Sequence, residues 1–318
     1  MPRERIPAVS LLVPVHNRAG LLGACLDSAL AQTMPNLEVV VVDGASTDGT
    51  WDVCLRYASA DARVRVFRDP VNTGPVRGWW RCLEEARGEY GTFLWSDDLL
   101  MPTFLERTFP LLVDDKVGFV FTAAEIGAQP GSGSVHYLTR GGPTASSEYI
   151  GRALEPQNEL PVSPACGLFR IRDLRESFIF ELPTEPSIDL TATGAGTDLL
   201  LYLLTARRYP SVFCVAEPLA FFRAHPGSIT IGGDTGRVAF GYAMARSWFA
   251  GMIGRREASR RILARHWISR MWATRQLVTP ARAAVAYGNI VDARGLCVSA
   301  IAVVTRGALA QARRVRHG

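Results

Sequence analysis

The sequence predicts an α/β fold in which helices cover both faces of a largely parallel sheet. Residues 1 to about 125 alternate short apolar runs with segments of helical periodicity, which is the pattern of βαβ units. The apolar runs are too continuous for strands with one wet face, so both faces of the sheet should be buried. With 318 residues, of which 48% are hydrophobic, the chain can bury one large core or two smaller ones.

Four strand and helix units are predicted in this first part of the chain. The strands are 9–15, 37–42, 64–67 and 90–95, and the helices that follow them are 19–32, 50–59, 75–86 and 102–113. Residues 127–144 are loop-like because they are rich in glycine, serine and proline. A short strand within 162–171, a helix at 198–207 and one or two strands within 211–222 should complete one mixed sheet.

Cysteine usage and hydropathy indicate where the protein works. The six cysteines are scattered, without the close pairs that metal or redox sites use, and they are typical of buried thiols in a reducing compartment. No apolar run approaches the roughly 18 residues that a membrane span requires, and no apolar signal segment follows Met1. We therefore expect a cytoplasmic protein.

Charge is distributed unevenly along the chain. From Ala245 onward there are fourteen arginines and only two acidic residues, although the whole chain has a net charge of just +5. Apolar residues recur at helical spacing from 243 to 278 with arginines between them, and a second apolar segment spans 290–316. The C-terminal part is thus predicted to be a basic amphipathic helical extension of an acidic body.

Two adjacent carboxylates, Asp97 and Asp98, stand where the fourth predicted strand ends. The carboxyl end of a buried strand is a place where α/β folds bind ligands, and paired acids there can hold a divalent cation. Mg²⁺ and Mn²⁺ prefer such oxygen ligands and bridge to phosphate oxygens. The alternative is that the pair caps the next helix, which Pro102 helps to start.

Two further loops leave strands at the same predicted edge. Pro14, Val15, His16 and Asn17 end the first strand, where exposed backbone and the Asn17 amide can hold a base or ribose. Asp43 ends the second strand, where a carboxylate can accept hydrogen bonds from a ribose or a base. Alternatively, Pro14 and Asn17 only shape a turn and cap the first helix.

The order and spacing of five motifs in the first hundred residues carry a resemblance to a known family. They are Pro14–Asn17, Val41–Thr50, Asn72–Pro75, Ala86–Tyr90 and Trp95–Asp98. Together they resemble the family 2 nucleotide-sugar glycosyltransferases, which have a GT-A fold, a Rossmann-like mixed sheet flanked by helices. Gly196–Asp198 and Phe222–Thr230 extend the resemblance to roughly residues 8–230.

The resemblance implies roles for the residues at the donor end. The loop Pro14–Asn17 and Asp43 would hold the nucleobase and ribose, while Asp97 would lie near the donor ribose or sugar. Asp98 would bind the Mn²⁺ or Mg²⁺ ion that bridges the donor diphosphate. Arg77, Arg223 and His225 would donate hydrogen bonds to that diphosphate.

The resemblance also implies a catalytic base. Asp198 would take the proton from an acceptor hydroxyl that attacks the anomeric carbon with inversion, although it can equally cap its helix. The chain departs from the family pattern at several positions, since Gly44 follows Asp43 where a second acid is common and Thr197 precedes Asp198 where many relatives have Glu. Trp95 stands where relatives often have another acid, so the metal should bind weakly without the donor. Trp79 and Trp80 replace frequent polar residues, and we expect at least one of them to pack in the core.

The basic extension has two interpretations that the sequence leaves open. Its arginines and tryptophans can bind an anionic membrane surface, or its helices can pack on the catalytic domain or on a second subunit of a homo-oligomer. No aromatic platform or helix-turn-helix pattern points to nucleic acid. The predicted domains are a catalytic domain at 1–240, with a nucleotide half at 8–125 and an acceptor half at 126–240, and the extension at 241–318.

The predicted function is a metal-dependent, inverting glycosyltransferase that acts on a UDP-sugar or another nucleoside diphosphate sugar. A hexosyl or N-acetylhexosaminyl group would pass to an acceptor hydroxyl on a lipid-linked or cell-envelope saccharide. A membrane-bound acceptor would place the enzyme peripherally on the inner face of the membrane. The alternatives are a glycosyltransferase of a small secondary metabolite, and a nucleotide-sugar-binding or scaffold protein that has lost catalysis.

Overall fold

The computed structural model describes residues 6–137, 140–155, 160–225, 227–228 and 235–316, with side chains as far as Thr305. The strands are β1 (Val9–Val15), β2 (Leu37–Asp43), β3 (Val64–Arg68), β4 (Tyr90–Phe93), β5 (Leu99–Leu100), β6 (Val117–Gly127), β7 (Ser134–His136), β8 (Gly142–Ala145), β9 (Gly167–Arg170), β10 (Glu181–Leu182), β11 (Ile188–Asp189) and β12 (Ser211–Arg223). The helices are α1 (Ala19–Leu30), α2 (Thr50–Ala60), α3 (Pro75–Glu85), α4 (Phe104–Leu112), α5 (Ser146–Ala153), α6 (Ile171–Ser177), α7 (Thr197–Ala206), α8 (Thr235–Met252), α9 (Arg256–Thr274), α10 (Pro280–Ala286) and α11 (Ala293–Arg316).

One mixed sheet organises the molecule, in the strand order β3-β2-β1-β4-β9-β6-β12-β5. The pairs β3/β2, β2/β1, β1/β4 and β6/β12 are parallel, whereas β9 is antiparallel to both of its neighbours. β7 and β8 pair with β6 and β12, and β10 and β11 form a separate hairpin. The predicted α/β class, with a largely parallel sheet, is confirmed.

The parallel strands are buried on both faces, as their apolar runs predicted. Val39 and Val41 of β2 face one core with α1 and α2, while Val40 and Val42 face a second core with α3 and α7. Since side chains alternate across a strand, an unbroken apolar run supplies both cores at once.

Register brings the functional loops to one edge of the sheet. Val15 at the end of β1 is paired with Asp43 at the end of β2, and Leu12 of β1 is paired with Phe93 of β4. The segments that leave these three parallel strands therefore emerge together. The end of β12 joins them because Phe221 pairs with Leu99, directly after the acid pair.

The middle of the chain is more ordered than its composition predicted. The loop-like stretch 127–144 contains β7 and β8, which add to β6 and β12 through backbone hydrogen bonds. Polar and glycine-rich residues form these strands because the partner strands, and not their own side chains, supply the stability. The strand β6 and the helices α5 and α6 are also absent from the sequence prediction.

The C-terminal extension is continuous with the catalytic core. The helical segment predicted at 243–278 is two helices, α8 and α9, broken around Gly254, whose φ of +80° suits glycine; α8 begins before the predicted boundary at 241. Ser259, Leu263 and Trp267 of the predicted apolar stripe are buried. These three side chains therefore pack on protein. Among the helices of the described residues, none combines the length and apolar character that crossing a bilayer requires.

Candidate active site

The loops after β1 and β2 are tied together at the sheet edge. Asn17 has a φ of +51°. Its side-chain Oδ1 accepts a hydrogen bond from the Thr47 backbone amide (2.9 Å), and its backbone amide donates to Ser46 Oγ (2.9 Å). His16 Nδ1 donates to the Gly44 carbonyl at 2.9 Å. The cap interpretation of Asn17 is wrong, since its amide oxygen binds the neighbouring loop, whereas its turn interpretation holds.

Pro14 and Val15 end β1 immediately before this loop, as predicted. A Cβ added to Gly78 on α3 would lie 3.7 Å from Pro14 Cβ, so the helix packs closely against the strand end. The structure thus brings the predicted base-binding segment to the site edge. Contact with a nucleobase stays a prediction.

Asp43 is fully buried beneath this edge. Its carboxylate accepts hydrogen bonds from the Ser46 amide and from the Ser46 hydroxyl, and it forms an ion pair with Arg68 Nε at 3.2 Å. The buried Asp43 carboxylate therefore fixes the loop that follows β2. Its predicted contact with the donor ribose stays a prediction, and any such contact would have to share these oxygens.

The acid pair is bound to the end of β12, and the helix-cap interpretation of it is wrong. Asp98 is 6% exposed, and its Oδ1 accepts the backbone N–H of Arg223 at 2.8 Å. Asp97 Oδ2 lies 2.9 Å from His225 Nε2 and 3.7 Å from Arg18 Nε. Helix α4 begins after Thr103, without a side-chain cap.

Asp98 has the electrostatics of a cation ligand. Burial raises its pKa well above the usual range, and the neighbouring Asp97 raises it further. Among the described residues, only the Arg223 amide donates to it, so Oδ2 has no hydrogen-bond donor there. A divalent cation would relieve both unfavourable effects. Asp98 therefore fits the predicted ion, although the described part of the chain has no group of three or more His, Cys, Asp or Glu placed to hold one.

Of the three side chains predicted to bind the diphosphate, Arg223 and His225 lie at the acid pair and Arg77 does not. Arg223 donates from Nε to the Asp97 carbonyl (3.0 Å) and from Nη1 to the Ala128 carbonyl (3.2 Å). Arg77 is exposed on α3, with its guanidinium carbon 5.1 Å from the centroid of the Phe180 ring. The structure thus brings Arg223 and His225 to the acid pair and leaves Arg77 on Phe180. Pro226, Ile229 and Thr230 of the same motif lie outside the described residues.

Asp198 lies in the first turn of α7 and is 7% exposed. Its Oδ1 accepts the amides of Gly196 (2.9 Å) and Leu199 (2.7 Å), so the cap interpretation is partly correct. Its Oδ2 accepts the hydroxyl of Tyr242 at 2.6 Å. Burial raises the pKa of Asp198 to about 6, against the lowering effect of these hydrogen bonds. At neutral pH such a carboxyl is mostly ionised and can take a proton.

The tryptophans beside the site form a packed wall. Trp79 is buried and lies 4.7 Å from Trp95 between ring centroids, while Trp80 packs on Phe178 at 5.3 Å. Trp95 Nε1 also donates to Ser163 Oγ at 2.8 Å. The expectation that at least one of Trp79 and Trp80 serves packing is confirmed.

Several residues at the site were not predicted from the sequence. Arg18, in the loop after β1, and Arg68, the last residue of β3, form ion pairs with Asp97 and Asp43. Ser46 donates both its backbone amide and its hydroxyl to Asp43. Tyr242 carried no signal at all, because its helix reaches Asp198 only through the tertiary fold.

Comparison with known proteins decides the family. Residues 10–178, more than half of the chain, match the model of glycosyl transferase family 2. The chain belongs to glycosyltransferase family 2. The resemblance that the motifs carried is thereby confirmed.

Curated relatives of this family 2 chain match it over its N-terminal part. The Bacillus subtilis glycosyltransferase TuaG, whose name places it in teichuronic acid biosynthesis, is 33% identical over 126 residues, which are 40% of this chain and 50% of TuaG. Glycosyltransferase GlyG of Streptococcus pneumoniae is 32% identical over 101 residues, 32% of this chain and 34% of GlyG. The chain thus spans half or less of these relatives' length.

A solved structure matches the family 2 chain over a longer stretch. S. aureus TarS, residues 1–349, solved with UDP-GlcNAc, superposes with a TM-score of 0.62 at 19% identity, over 83% of this chain and 72% of that one. This similarity confirms the predicted GT-A fold.

Proposed function

We propose that this chain is an inverting, divalent-metal-dependent glycosyltransferase that transfers a sugar from a UDP-sugar to an acceptor hydroxyl. The observation that carries the proposal is the buried Asp98 at the carboxyl edge of the parallel sheet, with one oxygen that has no donor among the described residues. Membership of family 2 and the structure of TarS with UDP-GlcNAc support a nucleoside diphosphate sugar as donor.

The donor would bind across the sheet edge. The segment Pro14–Asn17 and Asp43 would contact base and ribose, and Asp97 would contact the ribose or sugar. Asp98 would hold Mn²⁺ or Mg²⁺, which when bound neutralises charge on the leaving diphosphate. Arg223 and His225, already held beside the acid pair, would add hydrogen bonds to the diphosphate.

Asp198 would act as the general base. Its pKa of about 6 leaves the carboxylate ionised at neutral pH, yet basic enough to take the proton of an attacking hydroxyl. In an inverting displacement the base meets the sugar on the face opposite the diphosphate. The hydroxyl proton passes to Asp198, the hydroxyl oxygen bonds to the anomeric carbon, and the diphosphate leaves with the bonding electron pair.

The acceptor we propose is a cell-envelope saccharide, and the group transferred a hexosyl or N-acetylhexosaminyl unit. TuaG is named for an envelope polymer, and TarS was solved with an N-acetylhexosamine donor. The relatives match only in part, so the support for this proposal is the shared catalytic part and not the whole proteins.

The test is UDP release from a panel of UDP-sugars with Mn²⁺, in wild type and in Asp198→Asn. We expect release by the wild type with at least one donor and a loss of about 10²- to 10⁴-fold in the variant, the range that general-base catalysis supplies. UDP binding without release in either protein would overturn the proposal and favour a nucleotide-sugar-binding or scaffold protein.

A second proposal concerns location. At the end of α9, Trp272 is 81% exposed and Leu277 is 96% exposed, with the exposed Arg270 and Arg275 beside them. Exposed apolar side chains among arginines suit an anionic membrane surface, which takes the rings at its interface and pairs the cations with lipid phosphates. We propose that this segment, and not the buried stripe of the same helix, holds the enzyme peripherally on the membrane.

Vesicle flotation tests this second proposal. Wild type should float with vesicles that contain anionic phosphatidylglycerol and should not float with neutral phosphatidylcholine vesicles. The double variant Trp272→Ala/Leu277→Ala should lose flotation, while Val113→Ala, an exposed apolar residue elsewhere, should keep it. Equal flotation of the double variant and the wild type would exclude this surface.

A further inference from the structure

The hydrogen bonds of Asp198 leave one position open on its carboxylate. A carboxylate offers about four acceptor positions, two on each oxygen. The amides of Gly196 and Leu199 occupy both positions on Oδ1, and the Tyr242 hydroxyl occupies one on Oδ2. Among the described residues no other donor reaches Asp198, so a single Oδ2 position is free for an incoming hydroxyl.

Tyr242 comes from the C-terminal extension and not from the family's matched region. It lies on α8, beyond residue 178 where the family model ends. The preceding residue, Gly241, packs against the loop that precedes Asp198: a Cβ at Gly196 would lie 2.9 Å from the Gly241 carbonyl oxygen. This close backbone contact sets the distance between α8 and Asp198.

Two other ionisable side chains, from α8 and from the residue after β7, act on Asp198 and Tyr242. Arg246, one turn further along α8, stands with its guanidinium carbon 5.6 Å from the Tyr242 ring centroid and lowers the pKa of Asp198. It also donates from Nε to the Ala153 carbonyl at 3.0 Å, so α5 holds it in place. Tyr137, after β7, interacts electrostatically with both Asp198 and Tyr242.

We infer that Tyr242 is a positioning residue whose hydroxyl orients the Asp198 carboxylate and limits the acceptor to the one open position on Oδ2. The inference deepens the proposed function and rests on Asp198 being the base. It also gives α8 a role in the reaction, since the extension supplies the group that aligns the base.

The inference has a pH signature. A hydrogen bond donated to the charged form of an acid lowers the acid's pKa, so removal of the Tyr242 hydroxyl should raise the pKa of Asp198. The ionised base would then be present only at higher pH. A role limited to packing would leave that pKa unchanged, because phenylalanine fills the same space.

The experiment compares Tyr242→Phe with Tyr149→Phe and the wild type. Tyr149 is a matched control because its hydroxyl is buried in the same core and has no hydrogen-bond partner among the described residues. In Tyr242→Phe the acid limb of the kcat/KM profile for UDP release should move up by about one pH unit, the size expected for a hydrogen bond to a charged group. The loss should be about fivefold at pH 6 and close to none at pH 8, while Tyr149→Phe should keep the wild-type profile.

A direct titration separates this inference from the proposed function. The carboxyl carbon of Asp198, assigned by its loss in Asp198→Asn, is followed by ¹³C NMR against pH in each protein. A wild type without UDP release would overturn the proposed function, yet a higher Asp198 pKa in Tyr242→Phe would still support the hydrogen bond's effect on the acid. An unchanged Asp198 pKa, or a loss of activity equal at every pH, would overturn the inference.

Discussion

Gly241 on α8 lies against the carbonyl oxygen of Ala195 with no room for a Cβ between them. The contact joins the first long helix of the extension to the loop that leads into Asp198. Because Tyr242 follows Gly241 directly, the geometry of the proposed base depends on this glycine.

Gly241→Ala should therefore lower both stability and activity. The new methyl group would overlap the Ala195 carbonyl, and such overpacking typically costs about 1–3 kcal/mol. Gly251→Ala on the same helix is the control, because among the described residues its Cβ would meet only Ser259 Oγ, at 3.9 Å. Urea unfolding should show the control unchanged or more stable, since alanine favours helix. Equal stability of the two variants would contradict the close contact.

Asp198→Asn should be more stable than the wild type at high pH. The folded state raises the pKa of Asp198 to about 6, above its unfolded value, so the wild type loses stability as pH rises from about 4 through 6. Asparagine removes this penalty, and the gain at pH 8 should be about 3 kcal/mol and close to zero at pH 4. Urea unfolding at both pH values measures the difference in unfolding free energy between the variant and the wild type. A difference that does not change with pH would contradict the raised pKa of Asp198.

Asp98→Asn should weaken the use of Mn²⁺ in UDP release but raise the thermal stability of the metal-free protein. Loss of the carboxylate should raise the Mn²⁺ concentration required for UDP release by at least about tenfold. The metal-free variant should nevertheless melt higher than the wild type in EDTA, because a buried charge beside Asp97 has gone. Asp52→Asn, at an exposed acid on α2, is the control for both measurements. An unchanged Mn²⁺ requirement would remove Asp98 from the proposed metal site.

Arg170→Met should destabilise the fold without altering the site residues. The buried Arg170 guanidinium donates to the carbonyls of Val117 (2.7 Å), Leu112 (2.7 Å) and Asp114 (3.0 Å). The substitution removes three hydrogen bonds, at a cost of about 3 kcal/mol, although the Asp114 carbonyl keeps the Val117 amide as a donor. The neighbouring Arg172, exposed on α6, should tolerate methionine. Thermal unfolding compares the two, and equal melting temperatures would contradict this role.

The parts of the fold that follow from local pattern were predictable. β1 to β4 and the helices between them match their predicted limits to within a few residues, because apolar periodicity is encoded in each segment itself. β6 was missed because it is defined by pairing with β9 and β12, which come far later in the chain.

The site residues likewise separate into those that local motifs predict and those that only the tertiary fold brings together. Asp43, Asp98 and Asp198 stand at strand ends or a helix start, so their positions could be predicted from the motifs and their order. Tyr242 could not, because it is one aromatic residue among several on α8, and only the close packing of Gly241 selects it.

The acid pair takes its partners from the last strand of the sheet, with consequences for synthesis of the chain. Asp98 and Arg223 are 125 positions apart, and Asp97 and His225 are 128. A nascent chain that has emerged only as far as α7 contains every predicted ligand of the nucleobase and metal, yet lacks the amide and imidazole that hold the two acids. Contacts of such long range form late. Donor affinity should therefore be acquired only when β12 is in place, which makes nucleotide binding a reporter of completed folding.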